Sequence, residues 1–406
     1  MSALKYWLWL ANLPRVGSQM KLALLEHFGS PEKIYFGEKE EYFLVKGMSR
    51  AAAAALEDKA LEPTDRILGN CDKLGLRIIT VRDTEYPDRL RNIFDPPLLL
   101  YVQGRMPQFD EEVGIAMVGT RRSSAYAMEM GEKLAFQMAG LGAVVISGLA
   151  AGGDAAAHRG ALRADGFTAA VIGGGHDIIY PRENRRLYED IAGRGVILSE
   201  YPPGTEHMGA HFPVRNRIIS GLSLGVVVTE APERSGALIT ANRALDQGRD
   251  VFAIPGQVGD RRCAGSNQLL RDGAGVVTDA WDVLGHYAGR YPHKIRSLRM
   301  EEPRRFGGGL GAAGAEKKPA REPEQGHAEP AGMQKPLLDL SGGNSLTDDQ
   351  IRIVRTLEGR TVQVDDLVEE TQIPVRRVLS ALTVLELDRI VVQESGKRFS
   401  LAVTLV

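Results

Sequence analysis

With 406 residues, 43% of them hydrophobic and 25% charged, the chain has the make-up of an ordinary folded protein but is too long for one compact domain. A formal net charge of −2 excludes any whole-molecule attraction to nucleic acid and leaves that task to local basic patches. Two cysteines, Cys71 and Cys263, cannot build a disulfide framework or a four-ligand zinc site, so a soluble, cytoplasmic protein is expected, with no apolar run of the roughly 18 residues that span a bilayer.

The opening MSALKYWLWLANLPRVG is a short aromatic-rich apolar run without a small-residue cleavage site, and it leads straight into a helical pattern. Residues 1–68 are expected to form a helical domain of the SAM or helix-hairpin-helix kind. Leu22, Leu25 and Phe28 share one face, and Ala51–Leu56 is an alanine-rich helix former. LPRVGSQMKLALLEHFGSP has the form of a helix-hairpin-helix turn, whose backbone amides around Gly17 can meet a phosphate. The plain alternative is a hairpin in which Gly17 simply makes the turn. Residues 69–112 carry two β-type runs, LGLRIITV and PPLLLYVQG, punctuated by Pro87, Pro96 and Pro97, and are expected to form a β-rich extension of the next domain.

Between 113 and 285, strands and helices alternate. Strand-like runs are Ile115–Val118, Ala143–Ser147, Ala169–Ile172, Val196–Ser199, Gly225–Glu230, Val251–Ile254 and Gly275–Thr278, with helical patterns between them. Continuous apolar strands separated by helices predict an α/β fold, a Rossmann-like parallel sheet covered on both faces, with ligands beyond the carboxyl ends of its strands. Residues 286–344, rich in Gly, Ala, Pro and charge, cannot offset their ordering entropy and are expected to be a flexible linker. Residues 345–406 read as three helices and a terminal hairpin around Glu394-Ser395-Gly396-Lys397, a winged-helix pattern. Eight Lys and Arg against ten Asp and Glu over residues 346–406 give that part a net charge of −2, with Arg376 and Arg377 the one basic pair near its recognition helix. Contact with protein or with DNA is open for this domain.

The candidate chemistry lies in the turns after the strands. IAMVGTRRSSAYAMEMGEKL runs from an apolar strand through Gly119-Thr120-Arg121-Arg122 to a Ser-Ser helix start, where backbone N–H groups and the helix dipole are expected to face an anion. The dinucleotide fingerprint G-x-G-x-x-G is absent there. SGLAAGGDAAAH supplies glycines for close backbone approach, GGGHDIIYPRENRRL supplies Arg182, Arg185 and Arg186, and FPVRNRIISGLS supplies Phe212, Arg215, Asn216 and Arg217. An array of arginines with an aromatic suits a phosphate backbone whose bases can stack.

VGTRRSSAY, SGLAAGGDAAAH, GGGHDIIYPRENRRL, LSEYPPG, FPVRNRIISGLS and SGALITANRALDQGRDVFAIPG together resemble the successive motifs of the DprA/Smf family, in order from about residue 70 to 285. The resemblance implies a protein of natural transformation that binds single-stranded DNA, protects it and loads the RecA recombinase, as a homodimer without catalysis, cofactor or metal. It maps the family's glycine-arginine turn onto Gly119 and Arg121 and its FPxRNR motif onto Phe212, Pro213, Arg215, Asn216 and Arg217. Ala127 stands where the family often has glycine, which touches helix packing and not the arginine.

The expected nucleic-acid-binding residues are therefore Gly119, Arg121, Arg122, Arg182, Arg185, Phe212, Arg215, Asn216 and Arg217. Each has a plainer role. Arg121 could pair with Asp154, Phe212 could staple its helix start, and Arg182, Arg185 and Arg186 could be a solvated helix face. Arg215 and Arg217 fall on different sides of a helix, so that one faces the ligand and the other braces the turn, while Asn216 satisfies loop backbone. Asp154 and His158, four apart, imitate an acid–base or metal pair, but two ligands do not close a metal site. A rival enzyme reading is a Rossmann-like nucleotide phosphoribohydrolase. Its PGGxGTxxE motif needs a glutamate after the turn, where SGALITANRA has Ala241 and Asn242. A further rival is a regulator whose winged helix reads DNA under control of a bound nucleotide, against which the acidic winged helix counts.

Overall fold

The computed structural model describes residues 2–296, 337–338, 347–387, 390–394 and 398–405. The chain divides into two units, 1–305 and 306–406. The first is built on nine strands: β1 Arg77–Thr80, β2 Leu99–Gly104, β3 Gly114–Val118, β4 Val144–Ser147, β5 Thr168–Ile172, β6 Val196–Ser199, β7 Gly225–Val228, β8 Asp250–Ala253 and β9 Gly275–Val276. They lie in the order β1-β2-β6-β5-β4-β3-β7-β8-β9. All pairs from β6 across to β9 are parallel, whereas β1 pairs β2 and β2 pairs β6 antiparallel. The stretch 69–112 thus supplies the two outermost strands at one side of this one sheet.

Continuous apolar strands are what a sheet covered on both faces requires. Along β3, Ala116 and Val118 join one apolar cluster while Ile115 and Met117 join the other, packed on Leu134 and Met138 of the Ala125–Gly140 helix. The sheet order reverses at β3, which lies between β4 and β7. A reversal splays the connecting helices to opposite faces and opens a crevice beyond the strand ends.

Six helices precede the sheet, beginning with Ser2–Asn12 and Ser18–Phe28. Leu8, Leu10 and Leu24 are fully buried in the same cluster as Leu99 and Leu100 of β2, so the helical segment and the sheet share one core. In the hairpin turn the left-handed conformation falls on Arg15 (φ 64°), whereas Gly17 caps the second helix with φ −69°. The first unit also runs past residue 285, where the linker was expected. Beyond the Trp281–Ala288 helix, a run of turns brings in Ile295, which is buried, and Lys294, paired with Glu112 at 2.6 Å. Residues 297–336 and 339–344 of that linker lie outside the described residues.

The second unit holds helices Asp348–Thr356, Val364–Thr371 and Val375–Leu387 and a three-stranded sheet of Val362–Gln363, Arg398–Leu401 and Val391–Glu394. Thr347 and Gln350 close a capping box at the first helix, and Ile353, Leu367, Leu382 and Phe399 are buried together. This is the winged-helix arrangement. Arg377 is committed to Asp349 at 2.6 Å; the side chain of Arg376 and hairpin residues 395–397 lie outside the described residues.

Two buried histidines link this fold to pH. His158 bonds Thr168 at 2.7 Å and burial pushes it down to about 3, with Arg215 and Arg159 acting in the same sense; His176 contacts Tyr188 and the Tyr101 carbonyl, and burial pushes it down to about 4. The unfolded rings take up protons near pH 6.5 and the folded ones do not, so stability is full above that pH and is lost as pH falls toward the folded values. Urea unfolding at pH 5 against pH 7 is expected to show a loss on the order of 2 kcal/mol per ring. His158→Leu, which retains the volume, should lose less than the wild type over the same interval; an equal loss would refute the assignment.

Candidate functional site

At the crevice, the turn after β3 meets the turn after β4. Gly152 adopts φ +77° with the Thr120 and Arg121 carbonyls where a side chain would stand, and the Gly153 amide donates to Thr120 O at 3.4 Å. This close approach needs glycine and stacks the two turns. The helix start behind Arg121 and Arg122 is not an open anion site. Ser124 caps it, and a carboxylate oxygen of Glu230, which is 1% exposed, accepts the Ser124 amide at 2.8 Å. The helix end is thus neutralised from within, so the anion-holding capacity expected of those amides passes to side chains.

These side chains line a cleft of about 520 Å³ that includes Gly119, Arg121, Arg122, Phe212, Arg215, Asn216, Arg234 and Gly236. Arg121 and Arg122 are exposed. Among the described residues neither has a carboxylate within ion-pair distance, and Arg121 is not paired with Asp154. Its guanidinium instead lies 4.4 Å from the Phe212 ring centroid. Phe212 stands, half-buried, in the first turn of the His211–Gly221 helix.

Arg215, 4% exposed, forms the cleft floor. It donates to Gly148 O at 2.6 Å, to Val171 O, and through Nε to Asn216 Oδ1 at 3.2 Å. Burial pulls its pKa down to about 10 against the opposing Asp154, and Arg121 pulls the same way; the group stays charged at neutral pH. Asp154, 5% exposed, accepts the Gly119 amide at 3.4 Å; burial raises its pKa, with Arg215 and backbone amides opposing. Asn216 bridges to Gly236 O at 3.3 Å, tying this helix to the Gly236–Asp246 helix.

Arg217 points elsewhere. It is 3% exposed and sits between Glu200 at 2.7 Å and Asp95 at 3.1 Å, outside the cleft. Burial lowers its pKa, but the two carboxylates outweigh that and the net shift is upward. Arg182 and Arg185 are exposed on the turn after β5 and do not line the cleft, and nor does Arg186. Asn184, buried between them, donates to Leu149 O at 2.9 Å and so fixes that turn to the one after β4. Asp154 and His158 do not act as a pair, since His158 turns to Thr168. No group of three or more potential metal ligands occurs among the described residues.

Sequence reasoning passed over Arg234. It is exposed just before the Ser235 cap of the Gly236–Asp246 helix and lines the cleft from the β7 side. Its signal was an arginine directly before a Ser-Gly helix start, in the turn after β7. Tyr180, His207 and His211 were also missed. Tyr180 and His207 flank Phe212 with ring centroids 5.9 and 6.5 Å away, and His211 stacks on Tyr201 at 4.1 Å. The cleft therefore offers several positive charges and the Phe212 ring, with further aromatic rings packed beside Phe212.

Arg217→Met separates bracing from ligand contact. Leaving the half-buried Glu200 and Asp95 without their cation is expected to destabilise the protein by about 2 kcal/mol. A melting temperature equal to that of the wild type would show that Arg217 is not a brace.

A model of the family DNA recombination-mediator protein A matches residues 77–288, and one of the DprA winged helix domain matches residues 341–397. The DNA processing protein DprA of Bacillus subtilis is 41% identical over 236 residues, 58% of this chain and 80% of that protein. That of Streptococcus pneumoniae is 44% identical over 210 residues, 51% of this chain and 73% of that protein. The X-ray structure of DNA processing protein A from Streptococcus pneumoniae aligns with a TM-score of 0.62 at 36% identity, covering 69% of this chain and 97% of that chain.

Proposed function

This chain belongs to the DNA recombination-mediator protein A family, and from that premise we propose that it binds single-stranded DNA in the cleft at the β3–β7 reversal, protects it and hands it to the RecA recombinase during natural transformation. The observation that carries this reading is the meeting of exposed arginines without carboxylate partners and the Phe212 ring in one open cleft. Arg121, Arg122 and Arg234 take phosphates there, and Phe212 is a base platform. Gly119 lets the backbone turn beneath them, Arg215 contributes charge from the floor, and Asn216 positions the neighbouring helix start. Arg182 and Arg185 extend the path on the β5 side. A duplex keeps its base faces stacked inside, so single strands use the aromatic rings and duplexes do not.

Binding rather than catalysis fits the carboxylates. Asp154 and Glu230 are buried and hydrogen-bonded to the protein's own backbone, and the face of the Gly236–Asp246 helix toward the cleft carries Ala237 and Thr240 in place of an acid. The homodimer and the RecA contact follow from the family resemblance. Among the described residues no helix is long and apolar enough to cross a membrane.

The test is fluorescence anisotropy with single-stranded and duplex oligonucleotides across a salt series. A clear preference for single strands and a steep salt dependence are expected. Arg121→Ala should weaken binding and make the logarithmic salt slope shallower by about 1. Equal affinity for both forms, or an Arg121→Ala protein that binds like the wild type, would sink this site.

A further inference from the structure

In this structure the Phe212 platform carries a guanidinium over one face. The Arg121 guanidinium lies 4.4 Å from the Phe212 ring centroid, and a base settling on that face must displace it. A more exposed ring lies next door. Tyr180 is 43% exposed, and no cation stands over its ring among the described residues. Its ring is also held in place. His207 stacks on it with centroids 5.5 Å apart and planes 26° from parallel. His207 in turn bonds Ile178 O at 2.7 Å and packs against Gly174, where an added Cβ would fall 2.7 Å from the imidazole. The ring is therefore set by its neighbours before any ligand arrives, which lowers the ordering cost of stacking on it.

We propose that Tyr180 is a base-stacking platform of its own. A strand clamped by Arg121 would lay a nucleobase on Tyr180 and run on toward Arg182, exposed two residues further along the same turn. His207 is the positioning residue that fixes the Tyr180 ring at 5.9 Å from Phe212. This rests on the single-strand reading above and adds to it a second aromatic contact and a direction, from the β3 turn toward the β5 turn. The ligand is a single strand with bases; an abasic phosphate backbone would gain nothing from this ring.

The experiment uses the full chain, fluorescein-labelled oligo-dT and an abasic strand of equal length, with wild type, Tyr180→Leu, Tyr180→Trp and Arg121→Ala. Tyr180→Leu is expected to weaken oligo-dT binding about tenfold, within the usual range for one base on one aromatic ring. Its salt slope should be unchanged, because no charge is lost. Its affinity for the abasic strand should equal that of the wild type, and Tyr180→Trp should restore oligo-dT binding and show emission quenched by the strand. The ratio of oligo-dT to abasic affinity, taken within each variant, is insensitive to a misfolded fraction. If that ratio for Tyr180→Leu matches the wild type while Arg121→Ala loses affinity, the platform is wrong and the cleft stands. If the wild type binds no single strand, or Arg121→Ala binds normally, the cleft fails and the platform with it.

Discussion

The guanidinium of Arg215 reaches under the cleft to the carboxyl ends of β4 and β5, and much of the site's geometry depends on what it holds. Its bonds to Gly148 O and Val171 O tie two strand ends to the helix that carries Phe212. Only glycine at 148 leaves room, since any Cβ there would collide with the guanidinium. A buried cation is costly unless its donors are used and an opposite charge is near. Here three acceptors and Asp154 meet those terms, and Asp154 in turn grips the Gly119 amide. One charge thus couples the turns after β3, β4 and β5. The exposed arginines above it need satisfy no internal partner and are left for solvent or ligand.

The α/β core was legible because its signal is local. Strands such as Val196–Ser199 are buried on both faces, so each reads as an uninterrupted apolar run without knowledge of its neighbours. That the candidate residues lie beyond the carboxyl ends of the strands followed from general rules of parallel sheets, whereas the strand order and the place of its reversal emerged only in the fold. What local patterning could not show was where the first unit ends. Lys294 and Ile295 sit in polar, helix-breaking company, and their attachment to Glu112 and to the Leu141 neighbourhood depends on a fold already made.

The site was legible as a set of residues and less so as a division of labour. Three arginine-bearing turns could be named, but a side chain's partner is a tertiary fact. Arg217 looks like Arg215 in FPVRNR, yet Asp95 and Glu200, from other segments, claim it. Glu230 ends an apolar run and gave no sign that it would fill the helix start beyond β3. Tyr180 stands within one quoted motif and Arg234 directly before another. They went unweighed because a single arginine or tyrosine carries no pattern of its own.

That filled helix start bears on how selective the cleft is. A mononucleotide enzyme concentrates its affinity in one phosphate cradle, so that a single ligand group suffices. With the Ser124 amide taken by Glu230, this cleft has surrendered that cradle and keeps side-chain contacts that are individually modest. Affinity then accumulates with the number of linked units, as in any multivalent attachment. Free nucleotides are poor competitors under such a regime even when abundant. A polymer can also advance by one unit while exchanging each contact for an equivalent one, so tight retention and passage to a successor need not conflict.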